Sequence, residues 1–251
     1  MIHPTAIISP DAKLGAGVKI GAYSIIGDMA EIGAGSEIGS HCEVGVHAGV
    51  LPPGPLVIGA NSLIRSGSII YQNSTFGEGL TTGHRVTLRE GIIALERLQV
   101  GTLSDLQGHC SIGRHVRLHS NVHIGQNSKI GDFVWIFPYV VLTNDPHPPS
   151  EVMLGCIVKD FAVVATMSTI LPGITVGSGA LVGAMTLVRE DVPADTIHVG
   201  VPGRNVGSTL KVKFKDSGEH VYPWRRHFHR GYPAEAVKKW RDEFPQGELN
   251  T

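Results

Sequence analysis

The chain has 251 residues, 32 of them glycine, with three cysteines and a formal net charge of −1. That balance excludes a global electrostatic footprint for nucleic acid. No apolar run is long enough to span a bilayer, and three thiols make no disulfide framework. The opening residues, Met1-Ile2-His3-Pro4, lack the basic and apolar regions of a secretory leader, so a cytoplasmic location is expected.

The first element is a ladder of period six: Ile8, Leu14, Ile20, Ile26, Ile32, Ile38, Val44 and Val50. Six is neither the 3.6 of a helix nor the 2 of a simple strand. It is the period of a hexapeptide solenoid, in which short parallel strands coil around a narrow apolar axis. Two residues before each rung sits a small partner, such as Ala6, Ala12, Ser24 or Cys42. Glycine follows six of the rungs (Gly15, Gly21, Gly27, Gly33, Gly39 and Gly45), and the expectation is that each supplies a positive φ at a corner. Three hexads close one triangular coil, so residues eighteen apart stack on one face.

Leu51-Pro52-Pro53-Gly54-Pro55 breaks the phase, because Ile58 stands eight residues beyond Val50. A short loop near 51–57 is expected there. From Ile58 the ladder holds one phase to Leu142, with Thr82 and Ala94 as its weak members. The residues 143–157, opening Thr143-Asn144-Asp145-Pro146-His147-Pro148, interrupt it again, and Val158, Val164, Ile170, Val176, Val182 and Val188 complete it. Cys42, Cys110 and Cys156 all fall two residues before a rung, the small inward position, and read as core fillers.

The period stops near Asn205. A tail follows with the basic, aromatic run Trp224-Arg225-Arg226-His227-Phe228-His229-Arg230. Residues Pro233 to Phe244 read as a short helix with Ala234, Val237 and Trp240 on one side. The division is therefore a β-helix over 1–204 and an extension over 205–251, expected to cap the open end of the solenoid or to pack on a neighbouring subunit. Its arginines suit phosphate groups.

The closing coils, Leu171-Pro172-Gly173-Ile174-Thr175-Val176-Gly177 and Val201-Pro202-Gly203-Arg204, resemble the end signature of the left-handed β-helix acyltransferases. The opening Ile2-His3-Pro4-Thr5-Ala6 is similar to that superfamily too. The resemblance implies an all-β fold, a left-handed parallel β-helix of hexapeptide repeats, followed by a short extension containing a helix. It also implies acetyl-CoA as acyl donor, no metal, and a homotrimer with active sites between subunits. By the same resemblance Ala165, Gly183, Ala184, Pro202, Gly203 and Arg204 line the acyl-CoA cleft.

Within the superfamily, the stretch from Trp135 to Asp145 resembles the bacterial sugar N-acetyltransferases. It implies that Trp135, Asn144 and Asp145 contact a small sugar acceptor, with an Asx-turn as the plain alternative for the last two. The His147-Pro148 pair is similar to the galactoside and maltose O-acetyltransferases, in which the histidine is the general base.

Acyl transfer needs a nucleophile, a base where that nucleophile is protonated, and a donor to the oxyanion. Histidine is the natural base near neutral pH. His84, four residues before Leu88, matches the register of the catalytic histidine in the lipid A acyltransferases and points outward; His147 is its rival. His109, His115, His119 and His123 have the look of the three-histidine metal site of a γ-class carbonic anhydrase, but no two of them stand eighteen residues apart. They read as solvent-facing histidines. The expected activity is acetyl transfer to the amine of a nucleotide-linked sugar. An O-acetyltransferase, a metal hydratase and a non-catalytic nucleotide-sugar binder are the alternatives. No nucleic-acid or membrane partner is expected.

Overall fold

The computed structural model describes residues 1–49 and 51–244. Almost every hexad forms a strand of two or three residues followed by a sharp corner. Successive strands go to successive faces of a triangular prism, so three parallel sheets run its length. The first begins with Ile7–Ile8 and has ten strands, the second begins with Lys13–Leu14 and has nine, and the third begins with Lys19–Ile20 and has eleven. Among the described strands only the last of the third sheet, Gly203–Ser208, runs antiparallel, as the return arm of a hairpin with Thr196–Gly200.

Stacking follows the eighteen-residue rule. Ile70 pairs with Leu88, Leu88 with Leu106, Leu106 with Ile124, and Ile124 with Leu142. Side chains alternate across each strand, so the rung residue turns inward and the residue before it turns outward. The rungs from Ile20 onward, in the described chain, are buried, including the weak members Thr82 at 1% and Ala94 at 2% exposure. The three cysteines fill the axis as expected. Inward serines join coils: Ser104 Oγ donates to the carbonyl of His119 and accepts the amide of Val122.

Two breaks in phase are loops at one corner, between the first and second sheets. Ile32 pairs with Ile58, twenty-six residues on, and Leu142 with Ile170, twenty-eight on, against the usual eighteen. The first loop therefore begins directly after the strand Glu43–Val46, earlier than residue 51, and Ile32 has its stacking partner in Ile58 rather than at position 50. Val50 itself lies outside the described residues.

The corner glycines act differently from the expectation. Gly15, Gly21, Gly27, Gly33 and Gly39 are not in the left-handed region; the positive φ falls two residues later, at Gly17, Tyr23, Met29, Gly35 and His41. The reason for glycine after the rung is the next coil. A Cβ on Gly39 would sit 2.6 Å from the backbone nitrogen of Ser66, and one on Gly21 would sit 2.6 Å from the backbone of Gly39. Among these six, only Gly45, at the first loop, has a positive φ.

The hairpin carries the solenoid through Ser208, across the division expected at 204/205. The tail then folds back along the third sheet of its own chain instead of capping the end. Its helix, Ala234–Glu243, buries Trp240 against Phe133 and Tyr232. Among the described residues, no helix is long and apolar enough to cross a membrane.

Candidate functional site

The outward face of the first sheet holds a close histidine–carboxylate pair. Its stacked outward residues include Thr87, Asp105, His123 and Val141. His123 Nδ1 stands 3.3 Å from Asp105 Oδ2, with both side chains partly exposed. A carboxylate only accepts, so Nδ1 is the donor, and in the neutral ring Nε2 keeps its lone pair. Gln107 Nε2 also donates to Asp105. Partial burial pushes the Asp105 carboxyl up, but the hydrogen bonds of His123 and Gln107 and the charges of His123 and Arg89 outweigh it and hold it below the ordinary value. The arrangement is a histidine poised to take a proton, with a carboxylate to orient it and to stabilise the imidazolium.

His84 stands on the corner where the chain enters this face, between the strands Thr81–Thr82 and Thr87–Leu88. Its backbone N–H donates to Thr102 Oγ1 at 3.2 Å, and its exposed side chain lines a shallow cavity with His41, Ser66 and Leu103. His147 stands on the other edge, in the loop that leaves Leu142. Within one chain the two candidates are thus on opposite edges of the first sheet, and the Asp105–His123 pair lies between them.

The loop is held by Asp145. Its carboxylate accepts the backbone amides of His147 and Ser150, each at 3.1 Å, and the Ser150 hydroxyl at 2.7 Å. The Ser150 hydroxyl, chief among these, holds Asp145 below the usual carboxylate range. This is the Asx-turn arrangement, in which the carboxylate is occupied by the loop itself. Asn144 carries the loop's return, because its carbonyl accepts the amide of Leu154 at 2.7 Å; its side chain stays partly exposed beside the first sheet.

Trp135 is on another face. It lies on the third sheet, where its indole N–H donates to Tyr232 Oη at 2.6 Å and its ring packs against Trp224 and Phe228 of the tail. Arg117, one coil above, stacks over Trp135 and Tyr232 and donates to the carbonyl of Arg230. Trp135 and Asn144 are neighbours in sequence but are separated by a corner, so they do not form one surface.

Ala165, Gly183 and Ala184 continue the corner that holds His84, farther down the prism. Gly183 has no room for a Cβ, which would lie 2.5 Å from Val199 Cγ1. Beside them Tyr139, Met167 and Met185 project from successive coils, each more than half exposed. Pro202 sits at the hairpin turn. Gly203 is bare because His198 occupies its side-chain space, with Cδ2 2.6 Å from where a Cβ would stand. Arg204 is exposed, with Glu190 at 4.0 Å.

The four clustered histidines separate. His109, His115 and His119 fall on the three different corners and His123 on the first sheet. Among the described residues, no three histidine, cysteine or acidic side chains converge. Asp105 and His123 are not among the bases expected from sequence, yet their signal is present there: both directly precede a rung, and they stand eighteen residues apart.

No known family profile matches the chain. Over 172 residues it is 25% identical to the bifunctional protein GlmU of Alkaliphilus metalliredigens (strain QYMF), covering 57% of this chain and 38% of that protein. Over 108 residues it is 38% identical to the serine acetyltransferase of Bacillus pumilus (strain SAFR-032), covering 41% of this chain and 46% of that one. The chain thus spans less than half the length of these relatives. Among solved structures, an Arabidopsis UDP-N-acetylglucosamine acyltransferase superposes with a TM-score of 0.72 at 19% identity, over 100% of this chain and 85% of that one. That likeness shows the fold. The chain is a hexapeptide-repeat left-handed β-helix, and among the proteins it is similar to is an acetyltransferase.

Proposed function

We propose that this chain is an acyltransferase that moves an acetyl group from coenzyme A to the amine of a sugar, carried on a nucleotide. The observation that carries the reading is the Asp105–His123 pair, set on the outward face of a β-helix whose relatives transfer acyl groups. His123 Nε2 takes the proton of the acceptor as it attacks, and Asp105 stabilises the imidazolium that results. Asn144 and His147, from the loop at one edge, contact the acceptor. His84, at the other edge, is held as a second base candidate. The coenzyme supplies the activated thioester. Ala165, Gly183 and Ala184, beside the apolar edge of Tyr139, Met167 and Met185, suit its extended arm, and Arg204 suits its phosphate. We further propose a cytoplasmic homotrimer, in which the loop of one subunit reaches the groove of the next.

A hydroxyl acceptor is the second reading. An alcohol keeps its proton at neutral pH and needs a general base, whereas an amine is partly deprotonated already. A carboxylate-oriented histidine therefore fits an O-acetyltransferase equally in chemistry, and one relative is a serine acetyltransferase.

Thiol release from acetyl-CoA, measured over a panel of amino sugars, nucleotide-linked amino sugars, sugars and serine, tests both readings. Turnover confined to amines supports the first and turnover confined to hydroxyls supports the second. Absence of turnover on every acceptor, from protein shown to be folded, overturns both.

A further inference from the structure

The solenoid closes on an ionisable residue at a rung. His198 stands six residues beyond Val192 and turns inward beneath Val182, with which it pairs. It is 1% exposed, and among the described residues neither ring nitrogen has a hydrogen-bond partner. The return arm of the hairpin seals it: a Cβ on Gly203 would lie 2.6 Å from its Cδ2 and 2.7 Å from its Nε2.

The surroundings do not provide for a charge on that ring. The carbonyl of Gly203 faces it and already accepts Arg204 Nη1 at 3.0 Å. Two charged side chains act on it, Glu190 just after the strand Leu187–Val188 and Arg204 on the return arm, while the strand Leu181–Val182 brings none. Glu190 and Arg204 stand 4.0 Å apart and are both more than half exposed, so they oppose each other and are screened by water. The neutral ring leaves one N–H and one lone pair unmet. The imidazolium would leave two N–H groups unmet and a buried charge unpaired. Burial therefore outweighs the pull of Glu190 and holds the proton off.

The hairpin that covers the ring is held on one side only. Its strand Thr196–Gly200 pairs with Leu181–Val182 over two residues, and its return arm is the outer edge of the third sheet. Gly183 N–H donates to the His198 carbonyl at 2.9 Å, and Gly200 N–H to Thr186 Oγ1 at 3.3 Å. Each coil of a solenoid contacts only its neighbours, so a terminal unit opens without unfolding the rest. The tail does not clamp it, because Trp224 is anchored on earlier coils, against Trp135 and Phe161. We propose that this hairpin is an acid-operated latch, closed on the last coil while His198 is neutral and released locally when the imidazole takes a proton into water. Its link to the coenzyme rests on the reading above: Pro202, Gly203 and Arg204 lie on the latch, so bound coenzyme opposes the proton.

Hydrogen exchange of the full chain without ligand, read by mass spectrometry and corrected for slower intrinsic exchange in acid, tests the latch. An imidazole that titrates near 6.5 only in the open state makes opening about tenfold more favourable between pH 7.5 and 5.5. Protection of residues 196–208 should fall by nearly that factor, while the coils from Leu106 to Ile136 keep theirs. His198→Leu should abolish the fall. Should that variant not fold, the wild-type curve decides. An onset near pH 6.5 belongs to the imidazole, whereas a fall confined below pH 5 belongs to carboxylates and overturns the proposal. Constant protection, an undiminished fall in His198→Leu, or an equal fall in every coil also overturns it. Saturating coenzyme A should raise hairpin protection at pH 5.5 at least tenfold. No rise overturns the link to the coenzyme together with its assigned contacts on the hairpin, while the latch is decided in the ligand-free protein.

Discussion

His123 stands 3.3 Å from Asp105, one coil earlier and eighteen residues back in the chain. The pair is made by the pitch of the solenoid alone, since no loop or helix is needed to bring the two side chains together. It is also the only close histidine–carboxylate contact among the described residues on the prism faces.

If His123 is the base, His123→Ala lowers kcat/KM by about 10²–10⁴. Asp105→Asn gives a smaller loss, because the imidazole stays but its orientation and charge partner weaken. His84→Ala and His147→Ala serve as rivals in the same thiol-release assay. A His123→Ala variant with wild-type turnover would remove the assignment. Asp105 also has a stability signature. Its carboxyl is lower in the folded protein than its ordinary value of 3.8, so its contribution is complete above that value and disappears as the pH falls through the lower folded value. Urea denaturation between pH 3 and 6 should show a steeper acid loss in the wild type than in Asp105→Asn.

His198 predicts a second pH effect. It takes the inward rung position, paired with Val182, and among the described residues neither ring nitrogen has a hydrogen-bond partner. Burial lowers its pKa, outweighing the attraction of Glu190. The unfolded chain therefore takes up a proton near the ordinary value of 6.5 while the folded chain does not. Stability is complete above that value and falls as the pH drops below it, until the lower folded pKa is reached. His198→Leu should flatten Tm between pH 7.5 and 5, and a variant that kept the wild-type slope would contradict this origin.

The cysteines should be silent in the folded state. Burial pushes the Cys110 thiol up to about 11 and that of Cys156 up to about 12, and it raises Cys42 as well. At pH 8 almost no thiolate is present, and the axis admits no reagent. An aromatic disulfide reagent should label none of the three sites in buffer and all of them in denaturant. Rapid labelling of native protein would contradict the packing. The same silence keeps the thiol-release assay free of protein background.

The tail is held by aromatic packing. Trp240 meets Phe133 with ring centroids at 5.0 Å and Tyr232 at 4.8 Å. Trp240→Ala should destabilise the tail by about 3–5 kcal/mol. Tail release should then be visible as protease cleavage near residues 209–223 while the far-ultraviolet β signal persists. Unchanged protease resistance would mean that the tail is held elsewhere.

The two kinds of glycine can be separated by substitution. Gly17 has φ +74° and open space around it, so Gly17→Ala costs about 1 kcal/mol from backbone strain alone. Gly39 has an ordinary φ, but its missing Cβ would meet backbone at 2.6 Å, so Gly39→Ala must push adjacent coils apart and costs about 3 kcal/mol. Equal losses in chemical denaturation would contradict the stacking explanation.

Much of this was legible from the period. The ladder located the buried rungs, the cysteines and the second interruption, and placed the first a few residues late, because an inward position every sixth residue leaves a pattern that composition cannot hide. The closing coils carried the resemblance to the β-helix acyltransferases. The Asp105–His123 pair is equally legible in the eighteen-residue spacing, but only when histidine is compared with carboxylate; spacing between histidines alone passes over it. The role of the corner glycines was not legible: a positive φ and a missing Cβ both select glycine, and only coil-to-coil distance tells them apart.

The sequence alone determined that the chain coils, since one apolar rung per hexad is buried only around a narrow axis, while the hand of the coil came from the resemblance. It could not determine which corner-separated neighbours share a surface. Trp135 and Asn144 are nine residues apart, yet a corner sends the first under the tail and the second beside the first sheet. The tertiary structure alone decided where the tail lies. Its aromatic residues have no period that fixes a partner, and they found one only where Phe133, Trp135 and Phe161 had already been stacked by the solenoid.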